Sequence, residues 1–466
     1  MLFYSPVFFG FFAIYLLLHV LLPPRFRLYL IILGGSIFYG YWNISYAWIP
    51  FALTFIAYFG GIFITGAPDP GGKKLRLTIA VALLSSPLIF YKYTNFFYEI
   101  VAGVISAAPG KILDLPLPLG ISFVTFTLIA YLVDVYHHKY PVERDPLRLM
   151  AYVVFFPHLI AGPILRPHEL LPQFDKFRQA LSARFGLGAL LFSMGMAKKL
   201  LVADQIAPLV ETVYSQSAPL DAVAYLLAIY GFSAQIYCDF SGYTDMAIGL
   251  AIILGIRLPN NFNKPYISLS VAEFWRRWHL TLSRWLQSYI YIPLGGNRHG
   301  FLLQVRNIFI TMVIGGLWHG ANWTFLIWGV LHAFAIMATH FSRRRPGLHA
   351  AIGAIHPWIL IFFTFHFVTF GWVFFRAPDM ATAARVLAGP ITAGFGGALD
   401  TLIANSYPLI AMAALALSHR FDEHSRLRLF VGRSPAYVVW PLVIFIFVIS
   451  AVMSVGDTGK FIYFDF

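Results

Sequence analysis

The sequence predicts an all-α polytopic membrane protein, and three observations carry that reading. Of its 466 residues, 59% are hydrophobic and only 11% charged, where a soluble domain carries about 25% charged residues. Apolar runs of bilayer-crossing or nearly bilayer-crossing length recur from end to end, and the mean hydropathy is +0.73. Forty-six Phe, 25 Tyr and 11 Trp suit a protein with interfacial aromatic belts. No backbone crosses lipid with its polar groups unsatisfied, so the spans are helices.

The runs lie at about 7–23, 27–42, 47–66, 77–92, 94–108, 119–136, 186–206, 221–237, 240–256, 301–319, 322–341, 356–376, 403–419 and 436–455. Several are short or interrupted, so about eleven to thirteen are expected to cross, with the rest re-entrant or interfacial. No repeat or low-complexity tract separates them, and one membrane domain over 1–466 is expected, with a motif core at about 116–341 and C-terminal helices at about 356–466. Arg25 and Arg27 follow the first run, Lys73, Lys74 and Arg76 the third, and Arg343, Arg344 and Arg345 the run ending near Phe341. The loop WNISYAW after the second run is uncharged, so the positive-inside rule places the N-terminus outside. The first basic residue is Arg25, so the opening apolar stretch reads as a retained span and not a cleaved signal peptide. The net charge of +13 is assigned to cytoplasmic loops and not to nucleic-acid binding. The single cysteine, Cys238, excludes an intrachain disulfide and a multi-cysteine metal site.

Two segments depart from plain spans. YVVFFPHLIAGPILRP (152–167) carries prolines at 157, 163 and 167, which fits a kinked span or a re-entrant element equally. From Glu273 to Tyr289, helical periodicity puts Trp275, Trp278, Leu282, Trp285, Leu286 and Tyr289 on one side and Arg277, Arg284 and Ser288 opposite. That is the pattern of an interfacial amphipathic helix, with His279 on its shoulder.

The chemistry-bearing residues gather between Gln235 and Trp323. His319 sits in GGLWHGANW, where flanking glycines let backbone or substrate approach the imidazole. Histidine is the natural general base near neutral pH; a histidine hydrogen-bonded between helices explains the position as well. His279, beside Trp278, reads by itself as packing. Asp239 and Asp245 flank FSGYT and read as a helix-packing cluster, and Glu273 can pair with Arg276 or Arg277 at helical spacing. Lys264, Arg276, Arg277 and Arg284 suit the phosphates of an activated donor or anionic lipid headgroups. No HxxxH or HExxH spacing supports a metal, and no phosphate-binding GxxxxGK[ST] loop, dinucleotide GxGxxG or GxSxG elbow occurs.

The run QIYCDFSGYTDMAIGLAIILGIRLPNNFNKPYISLSVAEFWRRWHLTLSRWLQSYIYIPLGGNR, followed by GLWHGANWTFLIWGVLHA, resembles the membrane-bound O-acyltransferase family, in its bacterial polysaccharide-acetylating branch. PLGISFVTFTLIAYLVDVY (118–136), FFPHLIAGPILRP (155–167) and FVTFGWVFFRAPDMATA (367–383) agree with it. The resemblance implies a multi-helix core with a transmembrane tunnel, the family's invariant histidine at His319 and its second polar residue at His279. It also implies a bacterial inner membrane, a cytosolic donor with acetyl-CoA as the expected one, and an extracytoplasmic polysaccharide or SGNH-type relay protein as acceptor. His158 stands where the family pattern has Gln. The resulting expectation is acyl transfer with His319 as general base, His279 orienting the donor or polarising its carbonyl, no bound cofactor and no metal. D-alanyl transfer from a carrier protein and a transporter without bond chemistry are the alternatives.

Overall fold

The computed structural model describes residues 1–105, 112–175, 184–215, 220–454 and 462. Helices account for all of the regular structure, with no strand among the described residues. Eight helices among them are long and apolar enough to cross a membrane, or nine if Ala398–Ala404 and Ser406–Phe421, bent by 71°, form one broken span. The count is below eleven because neighbouring runs fuse and others are short. Runs 221–237 and 240–256 fuse into a single helix, Ala222–Ile253, and run 77–92 shares the helix Pro70–Val104 with run 94–108 up to Val104. Pro6–Leu21, Arg27–Gly40 and Ile121–Tyr136 have 16, 14 and 16 residues, short of the roughly 20 that cross a bilayer.

The chain divides into two compact units, residues 1–192 with 243–259, and residues 193–242 with 260–466. In the first, Ile49–Thr65, Pro70–Val104 and Ile121–Tyr136 pack on one another, and Arg27–Gly40 packs on Pro146–Val154. Phe3, Phe8, Phe38 and Phe156 form an aromatic cluster there. The proline-rich segment is broken: Pro146–Val154 stops at Phe155, and Phe156–Leu159 makes one further turn. His158 braces it, with Nε2 2.8 Å from the Tyr152 carbonyl. A carbonyl only accepts, so Nε2 carries the proton; burial lowers this histidine's pKa to about 4 and keeps it neutral. Asp245 is buried in the same unit.

In the second unit Phe301–His319 packs along Trp323–Arg343, which packs on Pro357–Arg376. A Cβ on Gly316 would lie 2.4 Å from the Phe325 carbonyl oxygen, and one on Gly320 2.1 Å from the Phe325 ring. The glycines around His319 therefore admit a neighbouring helix. Lys199, 2% exposed, stands in a π-helical turn, Lys198–Ala203, and pairs with Asp204 at 2.7 Å and Asp239 at 2.6 Å. Asp239 Oδ2 also accepts the Ile462 N–H at 2.8 Å. The charge that interrupts the hydropathy of Ala222–Ile253 is thus neutralised inside the protein. Cys238, next to it, is buried.

The segment 273–289 is not one amphipathic helix. Val271–Phe274 ends in a turn, a new helix runs Leu280–Leu286, and a π-helical turn, Gln287–Tyr291, follows. The break falls at His279, whose backbone is left-handed (φ 41°, ψ 55°) and cannot continue an α-helix. The apolar pattern was real, since Trp275, Trp278, Leu282, Trp285 and Leu286 are all buried, but it packs in protein through two short helices.

Candidate functional site

His279 and His319 are both buried, at 0% and 2% exposure, in the second unit. His319 is the last residue of Phe301–His319. The Trp318 ring lies against both imidazoles, its centroid 6.0 Å from that of His279 and 4.8 Å from that of His319. Trp328 and Phe375 close around His319 at 5.2 and 4.9 Å, and Phe240 meets His279 at 4.7 Å. The structure therefore brings the two predicted histidines against one tryptophan, in an aromatic box that lowers the local dielectric.

Asn261 fixes the His279 ring. Its Oδ1 accepts from the Thr281 N–H at 3.2 Å and the Thr281 hydroxyl at 2.9 Å, and lies 3.1 Å from His279 Nδ1. The Thr281 amide can only donate, so the amide oxygen of Asn261 must face it. The Leu282 N–H donates to His279 Nδ1 at 3.4 Å, so this side chain caps the helix Leu280–Leu286. Nε2 is buried without a hydrogen-bond partner among the described residues. Burial lowers the His279 pKa to about 3, so the ring is neutral throughout the working range.

A third histidine was not singled out in the sequence. His332 is fully buried, and its Nδ1 accepts the Trp275 indole N–H at 3.1 Å. Its proton therefore sits on Nε2. Trp328 meets both rings edge-on, 4.8 Å from His332 and 5.2 Å from His319. The available signal was its spacing, since Trp328 and His332 are four apart on one helix face.

The loop that carries Asn261 is held at several points. Leu280 N–H donates to the Asn261 carbonyl and Asn263 N–H to the Arg277 carbonyl, both at 2.9 Å, which couples it to the His279 turn. The turn 419–424 grips its outer side. His424 Nδ1 meets Asn260 Oδ1 at 2.9 Å, Lys264 pairs with Glu423 at 2.8 Å, and His419 Nε2 accepts the Tyr266 N–H at 3.1 Å. Hydrogen bonds from Lys264 and Ser425 hold the Glu423 carboxylate down at about 2, so the pair stays ionised. Among the described residues, Lys264 and His279 are two of the three non-glycine ones with positive φ. Such backbone persists only where its surroundings over-determine it, and it clusters at functional sites.

Of the predicted basic residues, Lys264 is thus engaged with Glu423. Arg277 pairs with Glu273 at 2.7 Å, Arg284 Nε lies 3.4 Å from the Leu280 carbonyl, and Arg276 is exposed. No group of three or more metal-ligating side chains occurs among the described residues.

A multi-pass helical protein that buries imidazoles among tryptophans has the makings of a membrane-embedded group-transfer enzyme. Residues 142–377 match the MBOAT, membrane-bound O-acyltransferase, family, and the chain belongs to it. It is an acyltransferase. The chain is 40% identical over 401 residues, 84% of this chain and 79% of the relative, to the probable alginate O-acetylase AlgI of Azotobacter vinelandii. It is 37% identical over 409 residues, 82% of this chain and 77% of the relative, to the peptidoglycan O-acetyltransferase of Helicobacter pylori. Similarity to the teichoic acid D-alanyltransferase of Bacillus subtilis is lower, 28% over 277 residues covering 55% of this chain and 68% of the relative.

Proposed function

We propose that this protein moves an acetyl group from cytosolic acetyl-CoA across the bacterial inner membrane, N-terminus outside, to an extracytoplasmic polysaccharide or to an SGNH-type relay protein. The higher identity to O-acetylating relatives than to the D-alanyltransferase supports acetyl over D-alanyl transfer. In the reaction a hydroxyl oxygen bonds to the acetyl carbon, the C–S bond breaks, and the hydroxyl proton ends on the departing thiolate. His319 takes that proton as general base and returns it to sulfur. His279, beside the same Trp318, orients the donor or polarises its carbonyl. The burial of the two imidazoles against one tryptophan is the observation that supports the assignment. Lys264, Arg276, Arg277 and Arg284 are the candidates for the donor's phosphates.

The test is acetyl transfer from acetyl-CoA to alginate by the purified full chain with its relay protein. General-base loss costs about 10²–10⁴-fold, so His319→Ala and His319→Gln should each nearly abolish transfer. His279→Gln should keep a measurable rate, since an amide can orient the donor without taking a proton. Normal transfer in His319→Ala sinks the base assignment. CoA-independent substrate movement would replace the whole reading with transport.

A further inference from the structure

The turn 419–424 and the helix it opens, His424–Arg433, carry charge that the histidine site does not use. Arg420, Arg426, Arg428 and Arg433 are all exposed. Both carboxylates of the segment are occupied, Asp422 by Lys198 at 2.6 Å and Glu423 by Lys264 at 2.8 Å. Arg426 Nε lies 3.8 Å from Glu423, and the other three arginines make no ion pair among the described residues. The helix is two-faced. At 100° per residue, Arg426, Leu429 and Arg433 fall within about 60° of one another on the exposed side, whereas Leu427, Phe430 and Val431 are half-buried. Leu429 is 55% exposed; Phe421, 50% exposed, has the guanidinium groups of Arg420 and Arg426 over its ring at 4.6 and 5.3 Å. After Ser434 and Pro435 comes Ala436–Met453, the most apolar of the described spans, with only 17% of it buried in protein. Guanidinium groups thus stand beside exposed apolar side chains at the start of a lipid-facing helix.

We propose that Arg420, Arg426, Arg428 and Arg433 form a site for the headgroup of an anionic phospholipid, and that the bound lipid holds the turn 419–424 on the 260–266 loop. A phospholipid joins a phosphate to an acyl chain, which is the pairing that this segment presents. A free phosphate-bearing donor would leave Leu429 and the neighbouring span without a role. The segment lies two crossings after Arg343–Arg345, counting the bent pair as one span, so both basic stretches share the side that the positive-inside rule makes cytoplasmic. Each cation of such a juxtamembrane cluster contributes about fivefold in affinity for an anionic surface. The link to the loop is direct. Glu423 and His424 open the helix and bind Lys264 and Asn260, so a headgroup that fixes the helix also fixes the two residues that grip the loop.

The full chain is reconstituted in nanodiscs of phosphatidylcholine alone or of phosphatidylcholine with phosphatidylglycerol. The variant combines Arg420→Gln, Arg428→Gln and Arg433→Gln and leaves Arg426 beside Glu423. It should bind phosphatidylglycerol about 10²-fold more weakly than the parent, a difference that shrinks as salt is raised. Backbone hydrogen exchange across 260–266 should be slower for the parent in the anionic discs than in the neutral ones, and equal in both for the variant. Equal phosphatidylglycerol affinity in parent and variant overturns the proposal, and so does exchange that ignores the lipid. Weaker acetyl-CoA binding by the variant in detergent, with phosphatidylglycerol affinity kept, assigns the arginines to the donor and overturns it too. If the triple variant fails to accumulate, Arg433→Gln alone should cost about fivefold in lipid affinity, and an unchanged affinity overturns the site. Lipid affinity and hydrogen exchange are read without acyl transfer, so their failure is distinct from a failure of the proposed reaction.

Discussion

Two buried polar clusters in the same unit show opposite designs. Around Lys199, a cation meets Asp204 and Asp239 at 2.7 and 2.6 Å, and Asp239 also accepts the Ile462 amide. Around His279, the groups are neutral, and Nε2 and Asn261 Nδ2 are left without partners among the described residues. Burying ions is tolerated only when each finds a counter-charge, and that arrangement leaves little for a substrate to do. Burying neutral groups with open atoms costs less and leaves chemistry available. Charge attracts attention in an apolar sequence, but here it marks scaffold, while the uncharged cluster is the better reactive centre.

The contrast can be broken by mutation. The largest effect should come from His319→Gln, with transfer down by about 10²–10⁴-fold and extractable folded protein unchanged; a stability loss matching the rate loss would make the two clusters alike. Next, Lys199→Met strands two carboxylates and should destabilise by about 3–5 kcal/mol, read as a lower melting temperature in detergent, with the rate per folded protein preserved. A preserved melting temperature would remove Lys199 from the scaffold. A smaller effect is expected in the 260–266 loop. Lys264→Glu should lower kcat by about tenfold, the size of a small misplacement at a reacting pair, and the swap Lys264→Glu with Glu423→Lys should restore it. A rise in the KM for acetyl-CoA that the swap leaves in place would assign Lys264 to the donor instead. Smallest is the pH response. The lowered pKa of His279 means the folded protein stays unprotonated there between about 6.5 and 3, where the unfolded chain binds a proton. Stability should therefore fall as pH drops through that window. Stability unchanged across it would contradict the buried neutral ring.

Much of this was legible in the residues. Hydropathy and aromatic content gave an all-helical membrane protein, and the ordered motifs pointed to His279 and His319. The number of spans was less legible for a physical reason. Asp239 breaks the hydropathy of Ala222–Ile253, and the lysine that neutralises it lies 40 residues earlier, so a window along the chain sees a gap where the structure has one helix. The periodicity of 273–289 named the buried residues correctly yet joined two helices, because left-handed backbone at a histidine has no compositional signature. Asn261 lay inside the quoted motif but carried no charge to draw notice. The turn 419–424 reaches its loop from more than 150 residues away and lies outside the family match, so only the folded chain pairs them.

The π-helical turn at Lys198–Ala203 has a consequence for how this protein can vary. It widens the helix by a residue and sends two adjacent lysines to different carboxylates, Lys198 to Asp422 at 2.6 Å and Lys199 to Asp204 and Asp239. Removing one residue from the turn would restore an ordinary helix and rotate everything after it by about 100°. Both ion pairs would then lose their register at once. The segment should accept many substitutions of side chain, but its length is fixed.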